Sequence, residues 1–252
     1  MEGPQNQLYA RQLAELTGRH VVRLGGDRRD AVGEIVGRRI EGVTALGKLL
    51  FIHFASDDDD QLIHLRLHCL MFGDVRINRT RPGKRLTLRM TLDEATKVYL
   101  YLGAARMATT DEVDPDVLSR DIAGGNNPTD DVMRRAAAAR PDGLVCDVLL
   151  DQHWFPGLGN KIKCEALHRA RVHPAVAMKN LSDDQFESLA FHSRDFTAHF
   201  ESVIFRDGDR GTPDYKIFRK RKCGTCGGKV LNEKLGELER SCHYCPDCQT
   251  VG

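Results

Sequence analysis

Between Val21 and about Leu102 the apolar residues fall in short runs, several of them alternating with polar positions: Glu34–Gly37, Lys48–Phe54, Gln61–Leu67, Arg85–Met90 and Val98–Leu102. Alternation places every second side chain on one face of an extended chain, so these runs predict half-buried strands. Gly25-Gly26-Asp27, Ser56-Asp57-Asp58 and Pro82-Gly83 supply turn chemistry between them. A β-sandwich or barrel follows. At the start, Leu8, Leu13 and Leu16 lie at near-helical spacing and predict an amphipathic helix over Gln5–Leu16.

The segment Asp111–Thr129, with Gly124-Gly125-Asn126-Asn127-Pro128 inside it, reads as an interdomain linker. Beyond it the period becomes helical, over Asp130–Arg140, Leu144–Gln152, Asn160–Arg171 and Ser182–Phe200. His153–Gly159 joins the middle two, and Pro156, Gly157 and Gly159 force a turn there. A helix that opens at Asn160 behind glycines leaves its first N–H groups uncovered, which suits a phosphate; a plain helical hairpin is the alternative. The chain carries no internal repeat and no low-complexity tract.

The tail adds the most specific chemistry. Cys223 and Cys226 form one CxxC pair and Cys245 and Cys248 a second, with a hairpin-length Lys229–Tyr244 between them. Four thiolates at this spacing close a tetrahedral zinc site, as in zinc ribbons. The competing readings are two disulfides or scattered core cysteines. Met1–Asn6 is polar and lacks the apolar region of a signal peptide, so a cytoplasmic chain is expected, nucleoid-associated in a prokaryote, and there disulfides are rare. Cys242 also makes a CxxC with Cys245, so Cys242/Cys245 stands as an alternative second pair. The Pro246-Asp247 knuckle favours Cys245/Cys248.

Composition narrows the picture only a little. The 252 residues are 41% hydrophobic, enough for a sizeable core, and hold no apolar run long enough to span a membrane. A net charge of +1 does not by itself indicate a nucleic-acid partner. Its distribution is more informative. Arg76, Arg79, Arg81, Lys84, Arg85 and Arg89 cluster in one segment, and Arg219–Lys222 runs into the cysteine tail, which tilts these patches toward phosphate contact. Asp57–Asp60 and Asp111–Asp116 carry compensating acid.

Three segments in order, Met1-Glu2-Gly3-Pro4, Leu150-Asp151-Gln152 through Pro156-Gly157-Leu158-Gly159-Asn160 and Cys164-Glu165-Ala166-Leu167 to His173-Pro174, and Arg240 through Cys245-Pro246-Asp247-Cys248-Gln249, resemble the formamidopyrimidine-DNA glycosylase/endonuclease VIII family. The wording is most similar to its endonuclease VIII-like members. The resemblance implies an α+β multidomain protein. Residues 1–112 would form an N-terminal catalytic β-sandwich flanked by helices, 113–129 a linker, 130–215 a helix-two-turn-helix module and 216–252 a zinc finger with one structural zinc ion. It further implies a monomeric base-excision enzyme on damaged DNA, bound between the two halves, whose N-terminal amine forms a Schiff base with the sugar, and whose AP lyase step nicks the strand. Carried over by position, Glu2 matches the family's acid and Lys48 its β-strand lysine. Asn160 and Arg240 match its phosphate contacts, and Leu70-Met71-Phe72 its wedge for the space left by an extruded base. For Leu70 and Phe72 a place in a core strand is the alternative.

One position departs from the family. The usual member begins Met-Pro-Glu-Gly-Pro and exposes a proline amine once Met is removed, whereas here Glu2 directly follows Met1. A retained Met1 then occupies the missing proline's place. A primary amine with a reference pKa of ~7.7–8.0 is about a tenth neutral at pH 7, enough for imine formation. The expectation is an active glycosylase with a weakened or altered lyase step. The competing readings are a family member that only binds damaged DNA, and an unrelated zinc-ribbon protein such as a transcription factor. His53, His64 and His68 read as polar core or cleft residues, Trp154 and Phe155 as packing anchors, and Cys146 and Cys164 as small buried hydrophobes.

Overall fold

The computed structural model describes residues 1–56, 61–113, 121–123 and 129–250. The acidic run Asp57–Asp60 and most of the expected linker lie outside the described residues. The chain divides into two compact units, Met1 with Gln5–Ser119 and Glu2–Pro4 with Arg120–Gly252.

The first unit begins with helix α1 (Gly3–Ala14), which turns Tyr9, Ala10 and Leu13 into the core. Strands β1 (Val21–Gly25), β6 (Leu86–Leu92), β7 (Lys97–Tyr101) and β5 (Asp74–Ile77) make one antiparallel sheet in the order β1-β6-β7-β5. Strands β2 (Arg39–Leu46), β3 (Leu49–Ala55), β4 (Ile63–His68) and β8 (Ala104–Ala108) make the other, in the order β2-β3-β4-β8. Leu50, Ile52, Phe54, Leu65 and Leu67 of one sheet and Leu88, Met90, Val98 and Leu100 of the other share one core. Each such side chain contributes about 1.5–3 kcal/mol on burial. This is the sandwich that alternation predicts.

Two local expectations differ from the structure. Glu34–Gly37 is not a strand; Asp30–Ile35 forms a 3-10 helix that buries Val32 and Ile35, apolar residues one turn apart, and the strand begins only at Arg39. Strands β5 and β8 escape a search for apolar alternation because each is short and carries arginine among small or polar residues.

The second unit is helical, then β. Helix α2 (Asp130–Ala139) starts at Thr129, whose hydroxyl caps the Val132 N–H. Helix α3 is only Val145–Val148, shorter than the expected Leu144–Gln152, because Leu150 and Asp151 turn tightly back on the carbonyls of Asp147 and Val148. Helix α4 (Asn160–Arg169) ends two residues earlier than expected, where Arg171 adopts a left-handed φ of 54° and the Val172 N–H closes on the Leu167 carbonyl. Helix α5 (Asp183–Asp207) opens with a Ser182/Gln185 capping box and runs past the expected Phe200. A hairpin of β9 (Leu231–Leu235) and β10 (Arg240–Tyr244) follows. Among the described residues no helix is long and apolar enough to cross a membrane.

Candidate active site, metal centre and nucleic-acid interface

In the first unit the Met1 side chain packs against the sandwich core, and its α-amine donates to the Leu70 carbonyl at 3.4 Å, on the exposed surface. The family likeness implies a strand position for Lys48, but the residue lies off the strands. It sits with Gly47 in the two-residue turn that joins β2 to β3, where Gly47 takes a φ of 54°. The buried Asn6 amide pins that turn by donating to the Gly47 carbonyl at 3.0 Å. Burial, the Arg66 guanidinium, the N-terminal amine and Lys48 together hold the His68 imidazole below its ordinary pKa, so amine, lysine and histidine share one electrostatic neighbourhood.

Leu70, Met71 and Phe72 form the turn between β4 and β5 and are 44%, 61% and 71% exposed, which excludes the core-strand alternative for Leu70 and Phe72. The turn is held from beneath. Gly73 donates to the Cys69 carbonyl at 2.8 Å, and a Cβ on Gly73 would lie 2.2 Å from that oxygen, so only glycine closes it. Arg81 donates to the Phe72 carbonyl at 2.9 Å, and Asp74 pairs with both Arg76 and Arg81. Part of the basic cluster expected to meet phosphate thus braces an apolar turn. The braced turn thus holds three apolar side chains out in solvent.

In the second unit Glu2 is 4% exposed and accepts two backbone bonds at the start of α4, from Lys161 N–H at 2.7 Å and Ile162 N–H at 3.2 Å. The helix dipole favours a carboxylate there. A Cβ at residue 159 would fall 2.4 Å from the Glu2 side chain, so Gly159 is what admits it. Gly3 N–H donates to the Gly157 carbonyl at 2.9 Å and fixes the same segment. The expectation of a phosphate cradle on this helix end is corrected: Glu2 occupies those N–H groups. Asn160, beside it, has a buried side-chain oxygen with no hydrogen-bond partner among the described residues.

The four sulfurs of Cys223, Cys226, Cys245 and Cys248 lie within 4.8 Å of one another. Two of the separations, 3.9 Å for Cys223 to Cys248 and 3.5 Å for Cys226 to Cys245, bracket the ~3.8 Å edge of a tetrahedron with metal–sulfur bonds of about 2.3 Å. Thr225 and Gly228 N–H groups point at the Cys223 and Cys226 sulfurs at 3.4 and 3.3 Å, as thiolate ligands require. These residues fit a metal ion. Cys242 does not belong to the set; its sulfur accepts from Lys163 Nζ at 3.0 Å in the interior.

Arg240 opens β10, exposed, and its hairpin is anchored by buried polar groups that periodicity does not reveal. The Asp147 carboxylate accepts from Glu237 N–H at 2.6 Å and Leu238 N–H at 3.4 Å. Gly236, with a φ of 72°, allows that approach, since a Cβ would meet Asp147 at 2.1 Å. Glu165 accepts from the N–H groups of Lys216, Ile217 and Phe218 at 2.9–3.0 Å, and His168 meets Thr225 and Gln249. Lys163, Glu165 and His168 all project from α4, and all are at most 3% exposed. The one sequence signal is their density of charge in a helix otherwise rich in buried residues. Phe155 is buried and Trp154 half-buried, as expected of packing groups, and Cys146 and Cys164 are buried.

A two-sheet sandwich, a helical segment with a glycine-rich turn at a buried glutamate, and a four-cysteine hairpin define a DNA-glycosylase type of fold. A crystal structure of a viral DNA glycosylase superposes with a TM-score of 0.86 at 20% identity over 99% of this chain and 100% of that one. A complex of Lactococcus lactis Fpg with DNA containing an abasic site superposes with 0.84 at 20% identity, over all of both chains. In sequence the chain is similar to Endonuclease 8-like 3 of Xenopus laevis, 30% identical over 230 residues that cover 86% of this chain and 36% of that protein. The chain spans about a third of the length of the curated relatives it matches first. No protein-family model matches it. The chain belongs to the formamidopyrimidine-DNA glycosylase/endonuclease VIII family.

Proposed function

We propose that this chain is a monomeric base-excision DNA glycosylase that removes damaged bases through an N-terminal amine, with AP lyase activity as a second, altered step. The observation that carries the reading is the Glu2 carboxylate, held by the Lys161 and Ile162 N–H groups at 2.7 and 3.2 Å through a gap that only Gly159 leaves, one residue from the α-amine of Met1. A rigid acid beside a primary amine is what imine chemistry on a sugar needs. The neutral amine attacks the anomeric carbon, the bond to the base breaks with its electron pair, and ring opening leaves an iminium. Loss of a C2′ proton then expels the 3′ phosphate, or water hydrolyses the iminium and regenerates the amine. Glu2 exchanges protons in these steps and Lys48 supplies positive charge near the sugar–phosphate.

Asn160 and Arg240 are the proposed phosphate contacts, and Leu70, Met71 and Phe72 the proposed wedge. Solved relatives of the same fold hold DNA with an abasic site or a modified guanine, which supports damaged DNA as the partner. The metal is proposed to be zinc in a structural role, because four thiolates leave no open coordination position. The working division is a catalytic unit over 1–112, a linker over 113–129, a helical module over 130–215 and a finger over 216–252, in a cytoplasmic protein.

Borohydride reduction on abasic-site DNA tests the reading, with Met1 verified by intact mass. Wild type is expected to form a covalent adduct through its first residue. Glu2→Gln keeps one carbonyl oxygen for the α4 N–H groups, so it is expected to fold and bind DNA while base release falls about 10²–10⁴-fold. Binding without any adduct, together with no effect of Glu2→Gln, would instead identify a protein that only recognises damaged DNA.

A further inference from the structure

Lys163 of α4 is fully buried in the second unit, and among the described residues no carboxylate comes within ion-pair distance of its ammonium. A buried ammonium needs a counter-charge. Its two contacts are the Ser241 carbonyl at 3.4 Å and the Cys242 sulfur at 3.0 Å, and only the second can carry one, as a thiolate. The Cys146 thiol of α3 donates to the same sulfur. That bond, with the Lys163 charge, pulls the Cys242 thiol down to about 6 against burial and the Asp147 carboxylate. The same bond, burial and Asp147 push Cys146 up, so it keeps its proton. Both sulfurs are 1% exposed, and neither belongs to the four-cysteine cluster. Packing alone would be served as well by three apolar side chains. A thiolate, a protonated thiol and an ammonium in contact are instead the parts of a reactive dithiol.

We propose that Cys242 and Cys146, gathered around Lys163, are an oxidative modification site at which hydrogen peroxide closes a disulfide between β10 and α3. The Cys242 thiolate attacks one peroxide oxygen, the O–O bond breaks, and the departing hydroxide takes a proton from solvent and leaves as water. The Cys146 sulfur then attacks the sulfenic acid, and its proton goes out with the displaced hydroxyl as a second water. Two thiols are oxidised by two electrons and one peroxide is reduced to two waters. Lys163 holds the first sulfur ionised until it reacts. Access comes from the hairpin: on β10 only Cys242 and Tyr244 are buried, and two strands alone are marginally stable, so a local lift uncovers the sulfur. The disulfide would fasten the strand that carries Arg240 to the helical module. The dithiol is independent of the proposed base-release chemistry.

The test uses the full chain, loaded with zinc, reduced with a phosphine and then exposed to hydrogen peroxide in the folded state. Intact mass, non-reduced peptide mapping and a chromogenic chelator follow thiols and metal together. Wild type is expected to lose the mass of two hydrogen atoms, to yield a peptide that joins Cys146 to Cys242, and to keep its metal; dithiothreitol should reverse the change. Cys146→Ala retains the Lys163 contact but lacks the second sulfur, so it should lose the crosslink and leave a sulfenic acid at Cys242 that dimedone traps. Cys242→Ser should lose both products. The decisive measurement is on wild type, so it stands even where a variant folds poorly. Three results overturn the proposal. One is metal release with disulfides confined to Cys223, Cys226, Cys245 and Cys248. Another is sulfenic acid at Cys242 in wild type that never joins Cys146. The third is no reaction at either sulfur until the protein is denatured, which would make Cys242 only the counter-ion that anchors Lys163.

Discussion

The two units solve the same problem, holding a few reactive side chains still, with different physics. The sandwich is filled by Ile, Leu, Val, Phe and Met, and its candidate site residues lie on turns at its rim. In the second unit the buried positions include Glu2, Asp147, Lys163, Glu165, His168 and Gln249, each hydrogen-bonded to a particular backbone segment or side chain. Buried charge is expensive unless paired, so such groups add little net stability and much definition of place. The sandwich is held by quantity of apolar contact; the helical and ribbon part by a few irreplaceable polar ones. Losing one methyl from the first loosens it slightly, while losing one carboxylate from the second frees a loop.

Metal loss should expose that difference most. Cys245→Ser, at a fully buried ligand, or chelation of the ion removes about 10–16 kcal/mol of ordering from the ribbon. Hydrogen exchange should then rise across Cys223–Cys248 and DNA affinity collapse, while β1 to β8 stay protected. Next comes Glu165→Ala, which orphans the N–H groups of Lys216, Ile217 and Phe218. Each hydrogen bond to a charged group is worth about 1.5–3 kcal/mol, so a loss of at least about 3 kcal/mol is expected in denaturant melts, with Glu165→Gln intermediate. A loss inside ±0.5 kcal/mol, the ordinary surface range, would dissolve the contrast between the units.

The same contrast decides what the sequence reveals. The period-2 runs locate β3, β4, β6 and β7 because each faces one apolar core, and the CxxC pairs locate the four-cysteine cluster because ligand spacing is a local property. Glu34–Gly37 misleads because Val32 and Ile35 are buried from a 3-10 turn. Lys48 misleads because a two-residue hairpin turn has no periodicity to read. Occupation of the α4 N-terminus by Glu2 joins residues 159 apart and follows from no local pattern; only Gly159 in front of the helix hints at a close approach. Glu165, Lys163 and Asp147 are invisible for the same reason, since charge in a helix ordinarily signals solvent.

Acid titration gives a smaller, sharper comparison inside the sandwich, where one polar pair interrupts the apolar rule. His53 Nδ1 and His64 Nδ1 are 2.8 Å apart, and His53 Nε2 meets the Thr44 hydroxyl at 2.7 Å. One imidazole must donate and the other accept, so the bond is lost once both rings carry a proton on Nδ1. Burial, aided by His64, pushes His53 down to about 4 from an ordinary 6.5. The unfolded chain therefore takes up the proton first. The contribution of this pair is complete above pH 6.5 and is lost as pH falls toward 4. Thermal melts of wild type should drop through that window. His53→Gln, which keeps a donor and an acceptor, should drop less; an identical pH profile would remove His53 from the account.

The smallest stability effect belongs to the most exposed turn. Met71→Ser and Phe72→Ser remove side chains that are 61% and 71% exposed, so each should change stability by no more than about 0.5 kcal/mol. Gly73→Ala, next to them, meets the Cys69 carbonyl and should be the destabilising change of the turn. If the braced turn exists to present a wedge, Met71→Ser and Phe72→Ser should reduce the preference for lesion-containing over intact duplex, since the wedge replaces stacking that an extruded base gives up. Contact with phosphates alone would weaken both duplexes alike. A Phe72→Ser variant that loses more than 1 kcal/mol of stability yet keeps full lesion preference would make the exposed triad a packing surface, and the wedge would have to be sought elsewhere on the sandwich.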